Sequence, residues 1–418
     1  MRINNSGTYE PCRWMAKHGN TRVDPDTNIR SLTPLTYFQT HMSGLRTALL
    51  QGQSPAMCTD CHVMEQHSKP SGRQRQLLKA GIRGEYFEKS LASSTLRSAF
   101  DHSNATQGHT DRTVMDWQID LGNYCNSACV FCHPESSSTL ATEFKKLSMI
   151  DKLPPRAWCD DPVLWKRFIE DLIHTPHLQY LHFLGGETVI TPAFKKIMKA
   201  LIDAGIAEKV TIGFTTNLTV WSESVVQLLK QFQQVHLGMS VETLTAVNDY
   251  VRYPSQQLKT KILLDQWVSL AQQQSWLVQL RTTPTCLTVH DLTTVYDYAW
   301  QNHLAVESCN FIESPEFLRI SVLPLQSRQV VQQHLQRWIE LHATNHNDHI
   351  INTRDPNLAR SQIVQDAQSY LHYLNSADDE SHRLPALITY LKRLENHRGN
   401  SILSYLPQYE NLFRSAGY

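Results

Sequence analysis

The chain has 418 residues, 41% of them hydrophobic, and its 39 Lys+Arg balance 39 Asp+Glu for a formal charge of zero. That length supports two or three domains with a sizeable core, and the charge balance argues against nucleic acid as a partner by leaving out its bulk basic footprint. No apolar run of about 18 residues could span a bilayer, and the start MRINNSGTYEPCRW lacks the apolar core of a signal peptide. The nine cysteines are odd in number and partly clustered, which argues against a secreted disulfide framework and points to a cytoplasmic protein with reduced or metal-bound thiols.

In chain order, the first 110 residues are polar and loop-rich, with Cys12 and a second short-spaced pair in CTDC, Cys58 and Cys61. From about Met115 to Pro324, strand and helix patterns alternate. WQIDLGNY has the period-2 character of a strand. Asp160 or Asp161 can cap a helix over about 161–175, where Pro162 suits the first turn and Leu164, Phe168, Ile169, Leu172 and Ile173 form one stripe. The strand QYLHFL (179–184) ends in Gly185, Gly186 and Glu187, and a helix opening at Thr191-Pro192 follows, closed by Gly205. The strand KVTIGFTTN (209–217), the helix ESVVQLLKQF, the strand QVHLGMSVE (234–242) and a helix over about 257–273 continue the series. The strand WLVQLRTT (276–283), a helix after Asp291 and a last strand FLRISVLP (317–324) bring the count to about six βα units. The remaining residues are helical in pattern, in HLQRWIELH, ALITYLKRLENH and SILSYLPQYENLF. The expected domains are therefore 1–110, 111–325 and 326–418.

Strands alternating with helices imply a parallel sheet, closed or partly closed, with ligands at the strands' carboxyl ends. The features that carry chemistry all fall at such ends. Between the first strand and helix lies NYCNSACVFCHPESSS, which places Cys125, Cys129 and Cys132 in a C-x3-C-x2-C spacing. Three close thiolates can hold metal in two ways. A zinc ion takes four ligands, and His133 is the nearest fourth donor, but its adjacency to Cys132 makes joint tetrahedral ligation awkward. An iron–sulfur cluster takes thiolates readily, and three of them leave one iron open for a substrate or cofactor.

The triplet with Phe131 before its last cysteine resembles the radical S-adenosylmethionine (radical SAM) superfamily. The order of Gly185-Gly186-Glu187, Asn217 and Ser240/Glu242 at the next three strand ends strengthens the likeness. The resemblance implies a partial (β/α)6 TIM-like barrel, with a loop-rich N-terminal segment and a helical C-terminal extension. It further implies a [4Fe-4S] cluster on Cys125, Cys129 and Cys132 whose open iron chelates SAM. Gly185, Gly186 and Glu187 would meet the methionyl amine, Phe131 would pack near adenine, and Ser240 and Glu242 would face the ribose or methionyl end. Asn217 closes the third strand on the same side. A reduced cluster would cleave SAM to methionine and a 5′-deoxyadenosyl radical that takes hydrogen from substrate, with a ferredoxin- or flavodoxin-type electron donor.

CTDCHVMEQHSKPSGRQR with Cys12-Arg13-Trp14 resembles the auxiliary-cluster part of SPASM/twitch-type members, in a subgroup that places it ahead of the barrel. DYVRYP, PEFLRISVLP and LENHRGN add to that likeness. It implies a second iron–sulfur cluster on Cys12, Cys58 and Cys61. A further cysteine usual in the subgroup is missing from HGNTRVDPDTN, so a zinc site with His62 or loss of the cluster stays open. Cys159, Cys286 and Cys309 read first as small buried hydrophobes. Cys286 and Cys309 also lie near predicted strand ends, where such enzymes can use a thiol to return hydrogen to a substrate radical. The expected function is radical modification of a peptide or protein. The alternatives are a radical SAM enzyme on a small molecule, sugar or nucleotide, and a non-catalytic metal-binding scaffold.

Overall fold

The computed structural model describes residues 1–12, 26–59, 61–62, 94–307, 312, 314–343 and 356–418. Strands β1 (Arg2–Ile3), β2 (Tyr9–Glu10), β3 (Asp116–Asp120), β4 (Tyr180–Leu184), β5 (Thr211–Thr216), β6 (Gln234–Ser240), β7 (Leu277–Arg281) and β8 (Ala305–Glu307) form one sheet. Their order is β2-β1-β3-β4-β5-β6-β7-β8, parallel throughout except for the antiparallel β1–β2 hairpin. From β3 onward each strand lies beside its successor. That order winds all crossovers one way, as in a barrel, rather than reversing at a switch point.

The alternation within the strands explains the two faces. Leu181, Ile212 and Val235 share one register row, and Phe183, Phe214 and Leu237 another. All six are buried. Helix α1 (Pro192–Asp203) packs on this face, with the Phe194 ring 5.1 Å from Phe183 and 5.3 Å from Phe214. The row between them, on the opposite face, reads His182, Gly213 and His236. Gly238 is small for a definite reason: a Cβ there would sit 2.8 Å from the Arg281 side chain, which lies across it to reach Thr215 Oγ1 at 3.1 Å.

Two sequence expectations are corrected. FLRISVLP is not a strand but two 3-10 turns, Glu316–Leu318 and Ile320–Val322. The edge of β7 is already taken by β8, which pairs Ala305 with Gln279, so the apolar residues of 317–324 are buried in turns instead. There the Leu318 carbonyl accepts from the Cys286 N–H at 3.0 Å and the Ser321 carbonyl from that of Glu380 at 3.0 Å. SILSYLPQYENLF is likewise mostly turns, Ile402–Ser404 and Pro407–Tyr409, before a short helix Glu410–Ser415.

The predicted helix after Asp160/Asp161 forms as Pro162–Ile173, with Asp161 Oδ1 accepting from the N–H groups of Val163 and Leu164 at 2.9 and 3.2 Å. The C-terminal region contributes helices Leu325–His342, Pro356–Ser376 and Leu384–Arg398. The second of these is one the periodicity reading did not single out. No described helix is long and apolar enough to cross a membrane.

Candidate functional site

A cleft of about 640 Å³ opens at the carboxyl ends of the strands. Cys125, Cys129 and Cys132 line it, as do Phe131, Gly185, Gly186, Glu187, Asn217 and Ser240. The sequence-predicted residues of the first four strand ends are therefore brought together, with one exception described below.

The cysteine loop is shaped by the hydroxyls that follow it. Ser137 Oγ donates to the Ser127 carbonyl at 2.5 Å and also caps helix α2 (Ser138–Lys146) by accepting from the Leu140 N–H at 3.1 Å. Ser138 Oγ accepts from the Cys125 N–H at 3.2 Å, and Thr139 Oγ1 donates to the Cys125 carbonyl at 2.6 Å. This accounts for the run SSST directly after the cysteines: small hydroxyl side chains satisfy backbone groups that no regular element satisfies. Burial pushes the Cys125 thiol up to about 11 and that of Cys132 up to about 12, and raises Cys129 too. Metal binding at these thiols must therefore displace protons. His133 is exposed and absent from the cleft lining. Among the described residues no three His, Cys, Asp or Glu side chains close on a single-ion position.

Gly185 and Gly186 adopt φ of +97° and +56°. A Cβ on Gly185 would overlap the Gly122 carbonyl, and one on Gly186 would overlap the Tyr124 carbonyl. The two glycines thus let the end of β4 lie against the backbone that leads into the cysteines, and the Glu187 N–H donates to the Tyr124 carbonyl at 2.8 Å. We expect Gly186→Ala to cost at least about 2 kcal/mol, from left-handed strain plus overlap. A thermal melt unchanged from wild type would show that the loop yields freely.

Glu187 is 1% exposed, and its carboxylate faces the protein rather than the cleft. Oε1 accepts from Val189 N–H at 3.1 Å and Thr216 Oγ1 at 2.9 Å, and Oε2 from Asn217 N–H at 2.5 Å. It clips the end of β4 to that of β5. Thr191, the residue at which helix α1 opens, donates its hydroxyl to the Glu187 carbonyl at 2.8 Å. Asn217 carries the clip on to the cysteines: its Nδ2 lies 2.9 Å from Asn126 Oδ1, 2.9 Å from Ser127 Oγ and 3.9 Å from Cys125 Sγ.

Glu242 is the exception. It is 2% exposed and does not line the cleft, which corrects its expected place beside Ser240. Glu242 lies past the end of β6, where its Oε2 is held by Thr282 Oγ1 at 3.0 Å and the Thr283 N–H at 2.6 Å. Oε1 pairs with Arg252 Nη1 at 2.8 Å. Arg252 does line the cleft, with its guanidinium 5.9 Å from the Phe131 ring centre. It is a functional candidate that motif spacing does not reveal, although it lies within DYVRYP. A buried cation beside a carboxylate has no sequence periodicity to announce it.

The N-terminal hairpin supplies the cleft's outer wall. Asn5 Oδ1 accepts from the Gly122 N–H at 3.0 Å, and its Nδ2 donates to the Glu135 carbonyl at 2.9 Å. Arg2, which also lines the cleft, is clamped between Asp120 and Glu10.

Cys286, expected as a hydrogen donor, is placed away from the cleft. It lies in the core at 1% exposure, outside the cleft lining, with Sγ 3.7 Å from the Phe317 carbonyl oxygen and a thiol pushed up to about 12 by burial. Its neighbourhood is closed by the turns that replace the expected last strand. Cys309 lies outside the described residues. Of the second cysteine set, Cys12 and Cys58 are half-buried and Cys61 is buried, while residues 13–25 and 63–93 lie outside the described residues.

Residues 119–260 match the family model described as the Radical SAM superfamily. None of the curated proteins matches the chain. The chain is similar to SuiB of Streptococcus suis bound to S-adenosylmethionine, at 15% identity over 75% of this chain and 67% of that one, with a TM-score of 0.39. It is similar to anSMEcpe with bound AdoMet at 15% identity, over 53% of this chain and 60% of that one, TM-score 0.39. The methyltransferase TsrM from Kitasatospora setae, with tryptophan and a SAM analogue bound, gives 11% identity over 58% and 45%, TM-score 0.35. The chain spans 65% of SuiB in another of its crystal structures and 60% of anSMEcpe, under two thirds of each of those two chains.

Proposed function

We propose that the chain carries a radical SAM enzyme domain, on the match of residues 119–260 to the superfamily model, and that Cys125, Cys129 and Cys132 hold a [4Fe-4S] cluster beside a SAM site in the cleft. The donor set fits that group: three thiols line one cleft, and among the described residues the lining contains no fourth cysteine. That is the observation that carries the reading. A single zinc ion is the poorer fit, since no three candidate ligands close on one position among the described residues.

A cluster held there would supply, when reduced, the electron for reductive cleavage of SAM and so for hydrogen abstraction from substrate. The chain's own residues orient and shield. Asn217 Nδ2 places a donor near Cys125 Sγ, and hydrogen bonds to cluster sulfurs tune the potential. Arg252 presents a buried cation to the cleft, suited to the carboxylate of SAM. Gly185 and Gly186 leave room for backbone contact with the methionyl end, Phe131 offers a ring for adenine, and Ser240 offers a hydroxyl. Glu187 supports this wall from behind.

We further propose that the substrate is a peptide or protein and the reductant a ferredoxin- or flavodoxin-type protein. Support comes from the cleft's extent, which runs past the cysteines to the hairpin turn Asn4–Ser6 and to Pro154–Pro155. The CTDC segment ahead of the barrel, with its likeness to twitch-type members, points the same way. Anaerobic reconstitution with iron and sulfide, followed by SAM and dithionite, should give 5′-deoxyadenosine by mass spectrometry. Bound zinc with no deoxyadenosine overturns the reading. Peptides encoded beside the gene should gain or lose mass on incubation; a modified sugar or nucleotide in their place would overturn the substrate class alone.

A further inference from the structure

The C-terminal helix α3 (Leu384–Arg398) reaches the cysteine loop from behind. Arg398 Nη2 donates to the Ala128 carbonyl at 2.7 Å, and Tyr390 Oη to the Val130 carbonyl at 2.7 Å. These are the residues on either side of Cys129. The N–H groups of the same two residues donate to the carbonyls of Tyr253 and Val251, at 2.7 and 2.8 Å. Both the N–H and the carbonyl of Ala128 and of Val130 are thus taken by groups from outside the loop, although these residues belong to no sheet.

The clamp is itself anchored. Arg398 makes a forked ion pair with Glu143 of helix α2, Nε to Oε1 at 2.8 Å and Nη2 to Oε2 at 2.7 Å, with both side chains buried. Its guanidinium sits 4.7 Å from the Tyr253 ring centre. Glu395, one turn earlier, accepts from Tyr250 Oη at 2.9 Å, from the Ile402 N–H at 2.6 Å and from Tyr418 Oη at 2.7 Å. The helix therefore grips the loop, the helix after the loop, and the 250–253 segment together. An arginine fork bonded to a carboxylate and a carbonyl at once fixes direction as well as distance.

We propose that Arg398 and Tyr390 are positioning residues for the metal centre: the C-terminal extension sets the spacing of the three thiols by holding the backbone between them. This rests on the reading that Cys125, Cys129 and Cys132 bind a cluster. Neither residue touches the cleft, so both act through the loop. Partners that orient metal ligands from outside typically matter by about 10- to 100-fold in metal affinity.

The test uses the full chain, reconstituted anaerobically with iron and sulfide, as wild type, Arg398→Lys, Tyr390→Phe and a variant with Cys125, Cys129 and Cys132 all changed to Ala. Iron release to an excess of chelator, the electron paramagnetic resonance signal of the dithionite-reduced protein, and thermal melts are measured on each. Expected are about tenfold faster release and an altered reduced-state signal in both positioning variants, with the melt of Tyr390→Phe close to wild type. Release and signal like wild type in both variants overturn the proposal. If Arg398→Lys fails to fold, Tyr390→Phe, which removes one oxygen, decides on the same criteria. If wild type and the triple variant hold the same iron, the cluster reading fails and takes the proposal with it; a cysteine-dependent cluster insensitive to both substitutions sinks the proposal alone.

Discussion

Changing Cys125, Cys129 and Cys132 together to Ala is expected to remove one cluster, about four irons per chain, and to bring 5′-deoxyadenosine formation to background. The reason is chemical. Clusters of this kind take thiolates, and the described cleft lining holds no other cysteine and no histidine, with His133 exposed and outside it. Fold stability should change little by comparison, because the loop's shape comes from Ser137, Ser138 and Thr139 and from the carbonyl clamp rather than from the thiols. Circular dichroism of the variant should therefore match the wild-type apoprotein. Iron and sulfide analysis settles the assignment, and an iron content equal to wild type would refute it. Any iron that remains reports on Cys12, Cys58 and Cys61, because no other close set of cysteines occurs in the sequence.

The second large effect concerns Arg252 and Glu242. Arg252→Ala should cost about 3–5 kcal/mol of stability, since it leaves the Glu242 carboxylate buried without its cation. The same substitution should weaken SAM binding by about ten- to hundredfold, the loss of one charged hydrogen bond of about 1.5–3 kcal/mol. The two losses can be separated. In Arg252→Met with Glu242→Met no charge is stranded, so stability should largely return, as replacing both partners of a buried pair with apolar groups is often neutral. SAM affinity should stay low in that double variant if Arg252 meets the cofactor. A calorimetric Kd for SAM restored along with the melting temperature would confine Arg252 to a structural role. Glu242→Gln alone should leave the cleft cation in place and lower stability more than affinity.

What could be read along the chain was what repeats or is spaced locally. The C-x3-C-x2-C loop, the strand ends at Glu187, Asn217 and Ser240, and helices such as Pro162–Ile173 with its Asp161 cap all follow from period, spacing and capping chemistry. These carried the reading as far as one face of a parallel sheet and the residues gathered on it. The same local logic misread FLRISVLP, where β-branched residues signalled a strand, while a three-residue strand, Ala305–Glu307, pairs with β7.

Direction and partnership were decided by the tertiary structure alone. Glu242 sits two residues past Ser240, the last residue of its strand, yet Thr282, Thr283 and Arg252 draw its carboxylate inward while Ser240 stays in the cleft. Cys286 lies near a strand end as expected, but the turns of 316–322 close over it. Arg398 is some 270 residues from the carbonyl it holds. Period and spacing constrain a residue relative to its neighbours in sequence, whereas a buried charge goes where its counter-charge is, and that partner is set only when distant elements pack. The sequence alone determined which atoms could carry the chemistry; packing determined which of them face the cleft and which hold it in shape.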